Sequence, residues 1–449
     1  MLPENFIQSI QHVEGFNKKN FEAIHTQNNP ITSIRLNETK PNHLLQHLYQ
    51  EQVPWCDYAF YLKERPSFTL EPGFHAGAFY VQEASSMFLS HILKQLFNQN
   101  TPAKVLDVCA APGGKSTILS SFFKNGLIVC NEVIKNRSNI LAENISKWGI
   151  GNCIVCNNDP KHFSNLTHFF DLVVIDAPCS GSGLFRKDAT AIQEWSLQHV
   201  NLCSQRQQRI IADILPSLNE NGYFIYSTCS YSEEENEQML DFIATNFSVE
   251  SIEININPQW GIVTTKSSIH KAFGYRFFPD KLKGEGFFIA AFKLTERKSI
   301  TKFKQNQIQK LTTTEKNAVK GFVSELSNYS MFKHQNEIKC INSEFIIDVE
   351  ILSAYLFLRK VGTIIGELKG KDFVPHHELA LSNLRLSNIA TIELDKQDAL
   401  NYLAKKEFNV KLAKGLALIS YVGLRLGWIK VLQNRINNYY PNDWRIIKY

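Results

Sequence analysis

Between Thr101 and Cys229, short runs rich in Val, Ile and Leu alternate with loops and with longer stretches whose apolar positions recur at helical spacing. This pattern predicts strands over 105–110, 127–133, 153–157, 171–177 and 222–229, and helices over 116–124, 136–148, 196–218 and 233–246. Near-continuous apolar strands separated by crossover helices are what a parallel sheet covered on both faces requires. The expected fold class is therefore α/β, a doubly wound Rossmann-like sheet. A further run over 286–294 predicts a late strand. Residues 296–317, rich in Lys, Gln and Thr, read as a linker, and 318–395 alternate apolar runs with Gly and Pro turns, as in a small mixed domain. The expected division is an N-terminal accessory domain over 1–79, the α/β domain over 80–295, the linker, the mixed domain and a terminal domain over 396–449.

A chain of 449 residues is too long for one core, and 44% hydrophobic with 20% charged residues is the composition of a folded protein. No apolar run approaches the roughly 18 residues that suggest a membrane span, and the start, MLPENFIQSI, lacks the pattern of a secretory signal. The expectation is a cytoplasmic protein without a membrane partner. Nine scattered cysteines, an odd number, fit reduced thiols better than a disulfide framework. The net charge of +5 is unevenly placed: residues 296–449 carry 24 basic and 15 acidic side chains, and the last 45 carry 9 and 2. In that last stretch Lys405, Lys406, Lys411, Lys414, Arg425, Lys430, Arg435 and Arg445 interleave with Tyr421, Trp428, Tyr439, Tyr440 and Trp444. Cations beside stacking rings suit an RNA surface, while a solvated basic face with its rings in a core is the competing reading.

Ligands of open α/β sheets bind outside the carboxyl ends of the strands, so the residues that follow each strand carry the chemistry. The first strand leads into Asp107-Val-Cys-Ala-Ala-Pro-Gly-Gly-Lys-Ser-Thr117, a turn of small residues opening a helix. A phosphate-binding P-loop would need Gly where Cys109 stands, and GxGxxG is absent, so phosphate cradling is disfavoured. Glu132 ends the second strand at a position suited to both hydroxyls of a ribose, and Asp159 ends the third. The fourth ends in Asp176-Ala-Pro-Cys-Ser-Gly-Ser-Gly183 and the fifth in Ser227-Thr-Cys-Ser230. An uncharged loop with a ribose-binding acid points to an adenosyl ligand without a pyrophosphate. Cys153-Ile-Val-Cys156 has CxxC spacing, but no second pair follows and the residues between suit a strand, so it reads as core. His376-His377-Glu378 lacks the HExxH arrangement and reads as loop, and no metal site is expected. Glu233-Glu234-Glu235 reads as a charge complement to a helix N-terminus.

The set CAAPGGK, DAPCSGSG and STCS, in this order and spacing, resembles the S-adenosylmethionine-dependent RNA (cytosine-5) methyltransferases of the Sun family. The likeness runs from the lead-in at Tyr80 to Met87 through Gly284-Glu-Gly-Phe-Phe288. The flanks, with Arg35-Leu-Asn37, Gly427-Trp-Ile-Lys430 and Asn434 to Pro441, resemble the bacterial subgroup that methylates 16S ribosomal RNA and ends in a PUA-like RNA-binding domain. The resemblance implies that Cys229 is the nucleophile, that Cys179 assists release of the methylated product, and that Asp176 assists at the cytosine ring. It places Cys109, Ala110, Ala111, Pro112, Gly113, Gly114, Lys115, Glu132, Asp159 and Asp176 around S-adenosylmethionine. Lys115 can orient Asp176 or steady the thiolate. RNA, as 16S ribosomal RNA in the small subunit, is the implied partner; transfer RNA is the alternative that the same motifs allow, and the oligomeric state is left open. Arg276-Phe-Phe-Pro279 is followed by Asp280 where the family often has His.

Overall fold

The computed structural model describes residues 2–27, 31–99, 101–295, 302–334, 336–370, 372–408, 410, 413–433 and 435–448. Five parallel strands form the middle of its largest sheet, in the order Cys153–Cys156, Leu127–Asn131, Lys104–Asp107, Phe170–Asp176, Leu218–Thr228. Strand order reverses at Lys104–Asp107, so the crevice between its end and that of Phe170–Asp176 is the topological switch point. Phe287–Leu294 runs antiparallel to Leu218–Thr228 and carries Phe273–Phe277 and Val263–Lys266 outward, with Val249–Ser251 also paired to it. Period-2 alternation divides the apolar residues between two layers. Leu106, Val129, Ile154 and Val173 pack on one face, and Val105, Ile128, Val155 and Val174 on the other.

The helices over Gly114–Phe122, Lys135–Trp148 and Leu197–Ile214 lie close to their predicted places. Ser196, the residue before the third, accepts from the His199 amide at 3.0 Å, which satisfies one orphan donor of the first turn. The predicted helix over 233–246 is broken: Glu233–Glu235 is a single 3-10 turn, Asn236 departs from helical dihedrals (φ −121°, ψ −99°), and the helix proper is Glu237–Asn246.

Three expectations about domain organisation differ from the structure. The N-terminal four-stranded sheet includes Phe79–Val81 paired to Ser33–Leu36, so it crosses the expected boundary at 79. Within the expected linker, of which 296–301 fall outside the described residues, Gln309–Lys310 pairs in a sheet and Thr312 caps Thr313–Lys320 through a reciprocal capping box with Glu315. Leu358–Val361, from the expected mixed domain, pairs antiparallel with Cys153–Cys156 and extends the central sheet. These segments therefore pack against the α/β layers and are not hung from them. The terminal sheet comprises Thr391–Glu393, Gly415–Tyr421, Leu424–Val431 and Ile436–Asn438.

In that terminal region Trp428 and Tyr440 are buried, Trp428 donating through its indole nitrogen to the His376 carbonyl at 2.9 Å. These two rings serve the core, and the stacking role suggested by the aromatic pattern does not extend to them. Lys411 lies outside the described residues. Among the described residues no helix is long and apolar enough to cross a membrane.

Candidate active site

A cleft of about 450 Å³ opens at the switch point. Cys109, Ala110, Ala111, Pro112, Gly114, Lys115, Asp176 and Cys229 all line it. Gly113 sits just behind, in the left-handed region at φ +115°, where it turns the chain into the helix that starts at Gly114. A Cβ on Gly113 would also press to 3.3 Å from Leu141.

The helix start is braced from the N-terminal sheet. Arg35, buried, donates to Gln82 Oε1 at 3.0 Å and to Thr117 Oγ1 at 2.5 Å, and its guanidinium stands 4.6 Å from the Trp148 ring centre. Asn37 donates to the carbonyls of Gly77 and Trp148. The N-terminal sheet is thereby locked to the two helices behind the cleft, which gives the Arg35-Leu-Asn37 sequence a positioning task.

At the cleft floor Lys115 Nζ lies 2.7 Å from Asp176 Oδ2 and 4.9 Å from the Phe287 ring centre. Asp176 is held from its other side by Ser227 Oγ at 2.9 Å. Its side chain remains 39% exposed, so it faces the cleft ionically paired yet reachable. Asp107 is fully buried, with Oδ2 accepting from Ser116 Oγ at 2.6 Å and Oδ1 without a partner. Burial pushes its carboxyl up to about 7; Ser116 and Lys115 oppose the rise, and Asp176 and Glu132 add to it. Glu132 is buried, its Oε1 accepting from the Ile134 amide at 2.9 Å. Arg137 stands 3.3 Å from Oε2 outside hydrogen-bond geometry, so that oxygen keeps accepting capacity. Buried acceptors without donors are uncommon; Asp107 lines the cleft, whereas Glu132 is outside its lining and reaches it only through Arg137, which does line it.

Asp159 is not brought to the cleft lining. Its carboxylate accepts from the Lys161 amide at 3.1 Å and caps the 3-10 turn Pro160–Asn165. The structure thus gives it a local task.

The two cysteines meet. Cys179 Sγ and Cys229 Sγ are 2.9 Å apart, and the Cys229 amide donates to Cys179 Sγ at 3.3 Å. The Cys229 sulfur and burial push the Cys179 thiol well up, which keeps Cys179 a thiol. Glycines permit the approach: Gly183 N donates to the Cys229 carbonyl at 2.8 Å, and a Cβ on Gly183 would come within 2.3 Å of the Gly286 carbonyl oxygen. By contrast Cys153 and Cys156 are buried in a strand and fall into opposite core layers, as expected of core residues. Among the described residues no group of three His, Cys, Asp or Glu side chains is placed to hold a metal ion.

Sequence reasoning missed six residues, at the cleft and away from its lining. Gln82, Glu83, Glu285 and Phe287 line the cleft from segments known only through the resemblance. Glu378, read as loop, is buried on the short helix His377–Leu381 and paired to Lys360 at 2.9 Å, far from the cleft lining. Glu235, read as a charge at a helix start, is fully buried and accepts from Ser180 and Ser230, the residues that follow the two cysteines. A carboxylate three residues after a Ser-Tyr-Ser turn was the signal available, and it is degenerate with an ordinary cap.

Residues 94–293 match the family described as 16S rRNA methyltransferase RsmB/F, residues 2–84 the N-terminal domain of 16S rRNA methyltransferase RsmF, and residues 389–446 the methyltransferase RsmF PUA domain. The chain is 30% identical to the ribosomal RNA small subunit methyltransferase F of Psychromonas ingrahamii, covering 98% of this chain and 97% of that one. It is 28% identical to the protein of the same name from Shewanella piezotolerans, over 88% and 85%. A solved methyltransferase homolog protein from Pyrococcus horikoshii superposes with TM-score 0.53 at 27% identity, covering 65% of this chain and all of that one.

Proposed function

Because this chain belongs to the ribosomal RNA small subunit methyltransferase F family, we propose that it methylates carbon 5 of a cytosine in 16S ribosomal RNA through a covalent adduct of Cys229 at carbon 6. The observation that carries the proposal is the meeting of two cysteine sulfurs at 2.9 Å on the rim of a cleft that also holds the Lys115–Asp176 pair.

Carbon 5 of cytosine is a weak nucleophile until a thiolate adds at carbon 6. The Cys229 thiolate forms that bond, and the electron pair displaced from the 5,6 double bond is delocalised toward the carbonyl and nitrogen 3. Asp176 assists at the cytosine ring as electrons move toward nitrogen 3, by a hydrogen bond or by proton transfer at that step, and Lys115 fixes the orientation of Asp176. S-adenosylmethionine, when bound, supplies the methyl group from its sulfonium. The unpartnered oxygens of Asp107 and Glu132, the close backbone at Gly113 and Gly114, and the volume of the cleft fit an adenosyl ligand with its amino and ribose donors. Once carbon 5 carries the methyl, loss of its proton restores the double bond and expels Cys229. Cys179, held as a thiol beside the departing sulfur, donates its proton to that sulfur, and the thiolate so formed takes up the proton that carbon 5 loses, which restores Cys179. The target base leaves its stack to reach Cys229, and the terminal PUA domain holds flanking RNA in the cytoplasm, where the substrate resides.

The test expresses Cys179→Ala beside Cys179→Ala/Cys229→Ala, denatures the protein and sequences the RNA still attached. A denaturation-resistant adduct in the single variant alone, enriched at one 16S site, is the expected result. Adduct in both variants removes Cys229 from the role, and enrichment of transfer RNA preserves the chemistry while replacing the substrate.

A further inference from the structure

The loops that carry Cys179 and Cys229 belong to different strands, and no covalent link fixes their spacing. What joins them is one carboxylate. Glu235 Oε1 accepts from the Ser180 amide at 2.8 Å and from Gln207 Nε2 at 3.2 Å. Its Oε2 accepts from Ser180 Oγ and from Ser230 Oγ, each at 2.5 Å. A carboxylate has about four lone-pair sites, and all four are in use. The serines are the next residues after the two cysteines, and their hydroxyls stand 3.2 Å apart, directly beside the sulfur pair at 2.9 Å. The residue is itself fixed: the Tyr226 hydroxyl stands 2.7 Å from the Glu235 backbone carbonyl and 2.9 Å from Gln207 Oε1, with its one proton shared between them. The next residue, Asn236, accepts from Thr228 Oγ1 at 2.6 Å and donates to the Ser230 carbonyl at 2.8 Å. Glu235 does not line the cleft.

We propose that Glu235 is a positioning residue, a clasp whose length sets the separation of Cys179 and Cys229 and thereby the hand-over between attack and release. The inference rests on the cysteine roles given above, but its geometric content does not. Span is the essential quantity, because serine hydroxyls can reverse and donate or accept as needed, whereas a shorter side chain cannot reach both loops.

The two sulfurs supply a readout that needs neither RNA nor cofactor. Diamide removes two electrons and two protons from a pair of thiols, is itself reduced to the hydrazine, and leaves an S–S bond; peptide mapping follows the Cys179–Cys229 cross-link specifically. Glu235→Asp, one methylene shorter, is expected to slow this cross-link and lower kcat by about tenfold to a hundredfold, with KM for RNA unchanged. Glu235→Gln, which keeps the span, is expected to retain both. Ser180→Ala, which removes one hydroxyl and leaves the carboxylate in place, is expected to fall between them and serves if the Asp variant does not fold. Wild-type cross-linking in a folded Glu235→Asp protein overturns the clasp, and so does a Gln variant as slow as the Asp variant, which would make charge the operative property. A slowed cross-link in Glu235→Asp alongside absence of any RNA adduct in Cys179→Ala leaves the clasp standing and removes the adduct chemistry.

Discussion

Two places in this molecule bury charged groups and thiols, and they handle them in opposite ways. Where Leu358–Val361 docks on the far edge of the central sheet, Glu378 accepts from Ser146 Oγ, Lys360 Nζ and the Ile364 amide at 2.8, 2.9 and 3.0 Å. The neighbouring Cys153 and Cys156 are sealed within a strand. At the switch point, Asp107 and Glu132 each keep one oxygen without a donor, the Lys115–Asp176 pair faces a cleft, and Cys229 lines it. In the first region Glu378 is fully hydrogen-bonded and joins segments far apart in the chain, while the adjoining His377 ring, also buried, has no hydrogen-bond partner. The second holds polar groups with accepting capacity left, which an incoming ligand can complete. Accepting capacity left over separates the carboxylates Asp107 and Glu132 from Glu378, although all three are buried. Glu235 shows the boundary between the two kinds: it sits at the working site yet is fully satisfied, and a positioning role follows.

The largest expected contrast is between cysteines. Cys229→Ala is expected to reduce methyl transfer to background with the thermal midpoint near that of the parent. Cys153→Ala is expected to leave kcat unchanged and cost about 1 kcal/mol, a typical penalty for one small buried deletion. Initial rates with denaturant melts of both variants check the pair; a Cys153→Ala enzyme without turnover would break the comparison.

That contrast was legible before any coordinates, because the residues after strand ends can be read once the strands are, and five short apolar runs bounded by loops declare the strands. The CAAPGGK, DAPCSGSG and STCS segments accordingly fall where the pattern predicts. What local pattern cannot carry is pairing across distance. Leu358–Val361 joins Cys153–Cys156 from about two hundred positions later, and nothing in its own alternation names that partner. Glu235 looked like a helix-start charge because a dipole argument uses only sequence neighbours, while its donors at Ser180 and Gln207 come from other elements. For Trp428 and Tyr440 the sequence leaves stacking and core readings open, because aromatic residues among lysines read alike whether the rings face water or core, and burial selects the core. Asp159 is placed at the ligand by the resemblance and its strand-end position, and neither carries the local cap its carboxylate makes to the Lys161 amide.

Next in size is Lys115→Met. Its loss frees Asp176 to rotate, and kcat is expected to fall roughly 10²-fold to 10⁴-fold, the usual range for removing acid–base support. Because Asp176 is substantially exposed, the pair adds little to stability, so the melt is expected to stay in place. Glu378→Gln should do the reverse. It leaves Lys360 buried beside a neutral group and is expected to cost about 3 kcal/mol with kcat preserved. The pH dependence sharpens this. Burial would raise the Glu378 carboxyl, but Lys360 and the surrounding donors override it and hold it down at about 2, against 4.5 for an ordinary glutamate. A depressed carboxylate stabilises fully above its unfolded pKa, so this contribution is present above 4.5 and lost as pH falls toward 2. Denaturant midpoints through that window are expected to drop more steeply for the parent than for Glu378→Gln.

The smallest effect concerns Asp107, the counterpart of Glu378 at the working site. Burial raises its carboxyl from 3.8 to about 7, so the folded protein holds this proton where an unfolded chain has released it. The sign is opposite to that of Glu378: the contribution to stability is full below 3.8 and declines as pH rises through 7. A ligand carrying a sulfonium and an ammonium favours the ionised carboxylate, so its binding draws the proton off. Affinity for S-adenosylmethionine measured by calorimetry should therefore rise with pH through neutrality, by at most about tenfold per unit, with an observed enthalpy that varies linearly with the buffer's ionisation heat, the slope giving the protons released. Asp107→Asn is expected to bind more weakly and to flatten the profile. A parent profile as flat as that of the variant would mean that the unpartnered oxygen at the switch point is as inert as the sealed groups on the sheet's far edge, and the distinction between the two regions would fail at the residue where it is drawn most sharply.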